Sequence, residues 1–132
     1  MTDLIGGQVQ VYFDNLPGSI EYIKSGKVRA LAVTTTSRWQ ELPNMPALAE
    51  FLPGYQASVF FGLGAPKNTS PEIIDKLNKE INAGLDDSKI KARLADLGAA
   101  PLVLSAAAFG RLIADETERW GKVIRTAGIK AE

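Results

Sequence analysis

The order strand, helix, strand near the start of the chain most constrains what it can fold into. Apolar and polar side chains alternate from Gln8 to Phe13, a period of two that predicts a first strand. The next segment carries apolar residues three apart and reaches Gly26, a residue typical of the position after a helix end, so a short helix is predicted there. Arg29–Thr35 is a compact apolar run that predicts a second strand. This order favours a right-handed parallel crossover and the α/β class.

A third strand and three more helices are predicted downstream. The three prolines between Ser37 and Pro53 indicate a connector, with a helical turn at its end, and Gln56–Ala65 reads as a buried strand. Helices are then predicted to begin near Thr69, Ser88 and Ser105, the first with a capping box formed by Thr69 and Glu72 and the last ending at Gly128, with a brief strand at 101–104. The expected fold is α/β, with three main strands flanked by helices.

Composition excludes several functional classes. The 132 residues include 15 basic and 15 acidic side chains, so no net charge attracts the chain to nucleic acid or to an anionic membrane. The sequence lacks the long apolar run that membrane insertion requires. Without Cys or His, thiol nucleophiles, imidazole bases and thiolate metal sites are absent, and no cofactor or metal is predicted. An enzyme is therefore not expected, although two convergent carboxylates would still permit glycosidase-type hydrolysis.

The best candidate ligand loop is Asp14-Asn15, directly after the first predicted strand. In open α/β sheets, ligands bind outside the carboxyl ends of the strands, which is where this pair lies. The alternative is that one of the two residues only caps the following helix, as Asp and Asn commonly do. The two roles are compatible, and position alone does not separate them.

Two further segments are candidate ligand contacts. Thr34 and Thr35 leave the second predicted strand in the same direction as Asp14-Asn15 leave the first, and their hydroxyls are suited to donate to a carboxylate. An ordinary polar strand end is nevertheless the favoured explanation of these two residues. Phe60 and Phe61 point to opposite faces of the third strand, so at most one faces a cleft, with Gly62 leaving room beside it. Two buried faces of a core strand account for the same pair.

Glu116 lies within the apolar face of the last predicted helix. A carboxylate buried there without a partner would lower the stability of the fold by several kcal/mol, on the order of the penalty for burying an unpaired charge. Arg119, three residues later, is the predicted partner. Glu116 is therefore interpreted as a structural residue and not as a catalytic acid.

A series of short motifs runs along nearly the whole chain. They are Asp3-Leu4-Ile5-Gly6-Gly7-Gln8-Val9, Phe13-Asp14-Asn15-Leu16-Pro17, Gly26-Lys27-Val28-Arg29-Ala30-Leu31-Ala32-Val33-Thr34-Thr35, Leu42-Pro43-Asn44-Met45-Pro46, Pro53-Gly54-Tyr55, Phe61-Gly62-Leu63-Gly64-Ala65-Pro66, Leu94-Ala95-Asp96-Leu97-Gly98 and Arg119-Trp120-Gly121-Lys122-Val123-Ile124. In these residues and in their order, the sequence resembles one protein family, the tripartite tricarboxylate transporter substrate-binding proteins, also called Bug proteins.

The resemblance implies part of a two-lobed periplasmic binding-protein fold of the type II-like kind. Residues 1–50 are then expected to supply second-lobe and hinge elements, and residues 51–132 to return to the first lobe. A small carboxylate is expected between the lobes, in contact with Asp14-Asn15, Thr34-Thr35 and Phe60-Phe61-Gly62. The expected location is the periplasm, and the expected partners are the carboxylate and membrane transporter subunits.

The resemblance also implies that this chain corresponds to the C-terminal portion of a family member. A secretion signal and most of the first lobe are expected upstream of the residues present here. A truncated chain exposes strand edges, so we expect a homo-oligomer that pairs through them. The alternative to ligand capture is a self-associating structural remnant without ligand affinity.

Overall fold

The computed structural model describes residues 1–130 and contains five helices within that range. The helices are α1 (Thr2–Ile5), α2 (Leu16–Lys24), α3 (Pro71–Asp86), α4 (Ser88–Asp96) and α5 (Ala106–Ala127), with one 3-10 turn at Leu48–Glu50. The chain forms two units: the first comprises Met1–Gly64 and Ser88–Ala100, and the second comprises Ala65–Asp87 and the chain from Pro101 onward. Ala131 and Glu132, the end of the range assigned to the first lobe, lie outside the described residues.

Helix α2 forms in the first unit where the sequence predicts it. A proline lies in its first turn, where the missing N–H costs nothing. Ser25 follows the last turn, and Gly26 adopts a left-handed conformation with φ 71°. The inward side of α2 provides Ile20, which is 1% exposed and is the largest fully buried side chain of the described residues.

An isolated parallel bridge between Val33 and Ala47 organises the middle of the first unit. The Val33 amide donates to the Pro46 carbonyl at 2.9 Å, and the Leu48 amide donates to the Val33 carbonyl at 2.8 Å. One residue later, the Thr34 carbonyl accepts from the amide of Ala57 at 3.0 Å. These bonds attach the connector to the segment that was predicted as the second strand.

The prediction of three strands is wrong for residues 1–130, where this bridge is the whole of the β structure. A strand exists only when a neighbouring strand accepts and donates its backbone hydrogen bonds. Segments 29–32 and 55–66 contain no helix, turn or bend, yet no ladder forms beside them. The brief strand predicted at 101–104 is likewise absent. Within residues 1–130, the α/β expectation thus reduces to helices joined by segments that form no ladder.

A two-pronged ion pair holds the connector. The Arg38 guanidinium donates through Nε to Glu50 Oε1 at 2.9 Å and through Nη2 to Glu50 Oε2 at 2.8 Å. Glu50 Oε1 also accepts from the Ala47 amide at 2.8 Å. The Arg38 hydrogen bonds, followed by the Ala47 amide, lower the pKa of Glu50 to about 2. The Glu50 carboxylate therefore links Arg38, near the start of the connector, to Ala47, near its end.

The residues after α4 pack against the start of α2. Gly98 closes α4 with φ 70°, and the Ala99 amide donates to the Leu94 carbonyl at 2.8 Å, as in a helix-ending glycine motif. A Cβ added at Gly98 would lie 2.6 Å from Leu16 Cγ, so the absence of a side chain is what admits Leu16. This glycine serves both a backbone and a packing requirement.

In the second unit, α3 and α5 contact each other. The side-chain amides of Asn78 and Asn82 in α3 both donate to the Leu104 carbonyl, at 3.0 and 2.9 Å. Leu104 directly precedes Ser105, whose hydroxyl accepts from the Ala108 amide at 3.2 Å and caps α5 as predicted. The two asparagines therefore fix the point at which α5 begins.

The boundaries of α3 and α5 follow their capping residues, with one correction. Gly128, with φ 65°, ends α5 as predicted. Ser70, and not Thr69, occupies the position before the first turn of α3, and the Thr69 hydroxyl instead donates to the Pro66 carbonyl at 2.8 Å. The predicted capping box is therefore wrong, because the hydroxyl of Thr69 is engaged by the preceding turn.

The predicted pairing of Glu116 is confirmed. Its Oε2 accepts from Arg119 Nη2 at 2.7 Å and also from the Trp120 indole N–H at 2.9 Å. The Arg119 guanidinium carbon lies 5.2 Å from the centroid of the Trp120 ring. All three groups belong to one face of α5, so Glu116 organises this helix surface; Arg119 was the predicted partner, whereas the contact with Trp120 was not predicted.

Candidate functional site

Asp14 and Asn15 lie immediately before α2 and are exposed. Asp14 Oδ1 accepts from the Asn15 amide at 2.9 Å. Asn15 occupies the cap position of α2, but its side chain makes no capping hydrogen bond; its main-chain carbonyl instead accepts from the Gly18 amide at 2.9 Å. The Asn15 side chain is therefore available to a ligand and is not used by the helix.

Gly18 leaves room for the Asp14 carboxylate. A Cβ built at Gly18 would lie 3.1 Å from Asp14 Oδ2, closer than an ordinary van der Waals contact. The carboxylate consequently lies against the first turn of α2, where the helix dipole favours negative charge. Gly18 was not predicted to contribute to this loop; the signal for it is a glycine one turn after an acidic residue at a helix start.

Thr34 and Thr35 differ in what their hydroxyls can do. The Thr35 hydroxyl donates to the Ser37 carbonyl at 2.7 Å, so its hydrogen is already used in a local turn. Within residues 1–130, the Thr34 hydroxyl is not committed to a hydrogen bond, and Thr34 is half-buried. Of the two predicted residues, Thr34 is therefore the better donor to a ligand.

Phe60, Phe61 and Gly62 follow Ala57, whose amide bonds to the Thr34 carbonyl. This bond brings the segment leading to Phe60 beside the residue that offers the free hydroxyl. Phe61 is 79% exposed, whereas Phe60 is half-buried and already makes an interaction. The prediction that adjacent phenylalanines face opposite ways fits this difference, and Phe61 is the one open to a ligand.

These segments offer chemistry suited to an anion held by neutral donors. Asn15 and Thr34 provide an amide N–H₂ and a hydroxyl, and neither brings a formal charge. The ionised Asp14 carboxylate only accepts hydrogen bonds, so its contact to a carboxylate ligand requires an intervening water or a donor group on the ligand. Phe61 adds apolar surface for a methylene chain.

A shallow depression elsewhere does not overlap these residues. It has a volume of about 190 Å³ and is lined by Glu41, Leu42, Pro43, Asn44 and Met45. One continuous stretch of connector forms its walls, so it lacks the convergence of separate segments that ligand pockets show. We therefore place no site there. None of the helices in residues 1–130 has the length and apolar character needed to cross a bilayer.

Comparison with known proteins identifies the family. Residues 1–129 match the signature of the tripartite tricarboxylate transporter family receptor. Protein BugT of Bordetella pertussis is 38% identical over 131 residues, which cover 98% of this chain and 40% of BugT. A UPF0065 protein from the clcB-clcD intergenic region of Pseudomonas knackmussii is 37% identical over 124 residues, covering 92% of this chain and 73% of that protein. The chain thus spans about 40% of the length of BugT.

Solved structures agree with this assignment. R. palustris Rpa4515 with adipate superposes with a TM-score of 0.88 at 39% identity, over 96% of this chain and 43% of that one. The periplasmic binding protein BugD superposes with a TM-score of 0.86 at 34% identity, over 100% of this chain and 45% of that one. The match over residues 1–129, supported by these relatives, shows that the chain belongs to the tripartite tricarboxylate transporter receptor, or Bug, family of periplasmic solute-binding proteins, a non-enzymatic family.

Proposed function

We propose that this chain contributes to the capture of a small carboxylate in the periplasm for a tripartite tricarboxylate-type transporter. The observation that carries the proposal is the adipate-bound relative, which is 39% identical and superposes over 96% of this chain. A ligand of this class has two carboxylates and an apolar middle, which suit the neutral donors of Asn15 and Thr34 and the exposed Phe61. Membrane subunits of the transporter are the partners that this role requires.

The proposed ligand contacts are Asn15, Thr34 and Phe61, with Asp14 acting through water. Thr35, Phe60 and Gly62 shape the loops that present them. In this proposal residues 1–50 belong to the second lobe and hinge, residues 51–132 return to the first lobe, and the carboxylate lies in the cleft between lobes. The support is the set of free donor groups at Asn15 and Thr34 together with the family's fold.

The test adds adipate to the 132-residue chain and measures binding in two ways, by titration calorimetry and by the midpoint of thermal unfolding. We expect adipate to raise the unfolding midpoint, because a ligand at a hundred times its dissociation constant adds about 2.7 kcal/mol to stability. Asn15→Ala should weaken the binding of adipate about tenfold or more, since a hydrogen bond to a charged group contributes about 1.5–3 kcal/mol. Asp96→Ala, an exposed acidic residue at the end of α4, is the matched control and should bind adipate unchanged.

A second candidate function is supported by the exposed apolar residues of the chain. It is a structural remnant that associates with itself through unpaired edges and has no ligand affinity. Phe13 and Phe61, each 79% exposed, favour such association. The remnant predicts no effect of adipate on either measurement, together with a dimer or higher oligomer by light scattering.

A further inference from the structure

Main-chain hydrogen bonds hold the backbone on both sides of the Thr34 side chain. The Val33 amide donates to the Pro46 carbonyl at 2.9 Å, and the Val33 carbonyl accepts from the Leu48 amide at 2.8 Å. The Thr34 carbonyl accepts from the Ala57 amide at 3.0 Å. The main chain that carries the Thr34 hydroxyl is therefore positioned by the connector and by the segment that follows it.

The connector side of these bonds depends on Glu50. Ala47 is 0% exposed, forms the bridge with Val33 and lies between the two connector residues that bond to it. The Ala47 amide donates to Glu50 Oε1 at 2.8 Å. Because a buried amide is strongly destabilised when it lacks an acceptor, Glu50 is what allows Ala47 to remain beside Val33.

Arg38 in turn orients the Glu50 carboxylate. Its guanidinium donates to both carboxylate oxygens, and its Nη1 also donates to the Pro43 carbonyl at 3.4 Å. A two-pronged pair of this kind fixes the plane of the carboxylate and so directs Oε1 at the Ala47 amide. The side chains of Arg38 and Glu50 are 51% and 39% exposed, so water screens the pair and its share of the total stability is modest. The main effect of the pair is therefore on the geometry of the connector.

We propose that Glu50, held by Arg38, is a positioning residue for the ligand: through Ala47 and Val33 it places the Thr34 hydroxyl to donate to a carboxylate. This inference rests on the proposed function, because it takes Thr34 as a ligand contact. Within residues 1–130 the Thr34 hydroxyl is not committed to another hydrogen bond. Neither Glu50 nor Arg38 is itself a proposed ligand contact.

The experiment is a double-mutant cycle in which titration calorimetry measures the affinity of the 132-residue chain for adipate. Thr34→Val removes the hydroxyl but keeps the side-chain shape, and it should weaken adipate binding about tenfold, as for a lost hydrogen bond to a charged group. Glu50→Ala removes the acceptor of the Ala47 amide and the partner of Arg38, and it should weaken binding by a similar factor. In the Thr34→Val background, Glu50→Ala should weaken binding by less than about twofold, because both changes remove the same contact.

Two controls separate positioning from a general loss of structure. Asn15 lies on another loop and shares none of these hydrogen bonds, so the losses from Asn15→Ala and Glu50→Ala should multiply. Glu116 in the second unit is the matched carboxylate, since it also accepts from an arginine and from a second N–H, at 2.7 and 2.9 Å. Glu116→Ala should therefore leave the affinity for adipate unchanged.

Arg38→Gln is the milder variant that serves in the cycle if Glu50→Ala does not fold. It removes the ion pair but leaves Glu50 available to the Ala47 amide. We expect it to weaken adipate binding about threefold in the wild-type background, as for the loss of an exposed pair, and to have no effect in the Thr34→Val background.

Hydrogen exchange provides a readout that needs no ligand. Glu50→Ala should speed exchange of the Val33 and Leu48 amides about tenfold, because the bonds that protect them open more often. Glu116→Ala should leave the exchange of both amides as it is. Unchanged exchange at both amides in Glu50→Ala would contradict the path through Ala47.

The outcomes distinguish this inference from the proposed function. If the chain binds adipate but Thr34→Val or Glu50→Ala has no effect, the positioning role is overturned and ligand capture stands. The same conclusion follows if the losses from Thr34→Val and Glu50→Ala multiply, or if Glu116→Ala weakens binding as much as Glu50→Ala does. A wild-type chain that does not bind adipate overturns both.

Discussion

Glu50 shows how one exposed side chain can hold an irregular connector in place. Its two oxygens accept from Arg38 at 2.9 and 2.8 Å, and Oε1 also receives the amide of Ala47, a residue that is fully buried. The Ala47 contact is local, but the Arg38 partner was not predictable, because Arg38 and Glu50 are 12 residues apart within a proline-rich stretch that has little periodicity. Only the folded connector brings them together.

The low pKa of Glu50 makes the stability of this connector dependent on pH. The folded pKa of about 2 lies below the ordinary value of 4.5, so the ionised carboxylate stabilises the folded state above pH 4.5. This contribution is lost as the pH falls from 4.5 towards 2, when the carboxylate becomes protonated. Salt should reduce it as well, because the pair is solvent-exposed.

Glu50→Gln is the variant that tests this dependence. Glutamine keeps an oxygen for the Ala47 amide while removing the charge that pairs with Arg38. We expect a lower unfolding midpoint than the wild type at pH 7, and a difference that shrinks as the pH is lowered from 5 to 2.5. Glu21→Gln, an exposed change in α2, should show no such convergence. Parallel pH profiles for wild type and Glu50→Gln would contradict the assignment.

At the scale of elements, α2 to α5 were predictable, whereas the short helix α1 was not predicted and the predicted strands did not form. The predicted starts near Ser88 and Ser105 and the end at Gly128 agree with α4 and α5, because capping is decided by residues within one turn of the helix end. A strand depends on a neighbour that can be distant in sequence. Segment 55–66 has the composition of a strand, yet no ladder forms beside it within the described residues.

The candidate site shows the same division between local and distant signals. The sequence placed Asp14 and Asn15 before a helix, which the structure bears out, but it did not decide between capping and ligand binding. The structure answers only the question of capping: Asn15 makes no cap bond, and Asp14 instead accepts its neighbour's amide. The hydrogen bond from the Thr35 hydroxyl to the Ser37 carbonyl was likewise not predictable from the residue types alone.

The contact between the end of α4 and the start of α2 provides an element-scale prediction. Gly98→Ala should destabilise the folded state for two reasons. A positive φ costs a residue with a side chain about 1–2 kcal/mol, and overpacking against Leu16 costs about 1–3 kcal/mol more. Gly26→Ala is the matched control, since its φ is 71° and nothing lies within 4 Å of the added Cβ. Urea unfolding should therefore show a larger loss of free energy for Gly98→Ala. Equal losses would show that Leu16 moves aside without cost.

At the scale of the whole molecule, the ratio of exposed to buried surface governs stability. Only Ile20 and Ala47 are buried hydrophobic residues within the described part of the chain, despite a hydrophobic content of 45%. An unfolded chain of 14.2 kDa exposes about 20,600 Å², so a folded surface of 10,314 Å² means that folding buries about half of it. A compact domain of this mass buries about two thirds. The sequence had enough apolar residues for a core but could not show that most of them face outward.

This difference predicts how the isolated chain unfolds in urea. The slope of the unfolding free energy against urea concentration, the m-value, is proportional to the area exposed on unfolding. We expect an m-value about three quarters of that of a compact domain of equal length, because about 10,300 Å² is exposed in place of about 13,800 Å². Residual structure in the denatured chain reduces the area exposed on unfolding in both cases, so the expected ratio of the two m-values is kept.

The measurement is urea unfolding followed by circular dichroism at two protein concentrations tenfold apart. A reduced m-value with a midpoint independent of concentration is the expected result for a chain whose apolar segments remain in water. A full-sized m-value would mean that the chain covers those segments in solution. If the midpoint also rose with concentration, a second copy would be covering them, because only association makes unfolding depend on the amount of protein. A full-sized m-value at a constant midpoint would instead mean that the apolar segments pack within the single chain in solution.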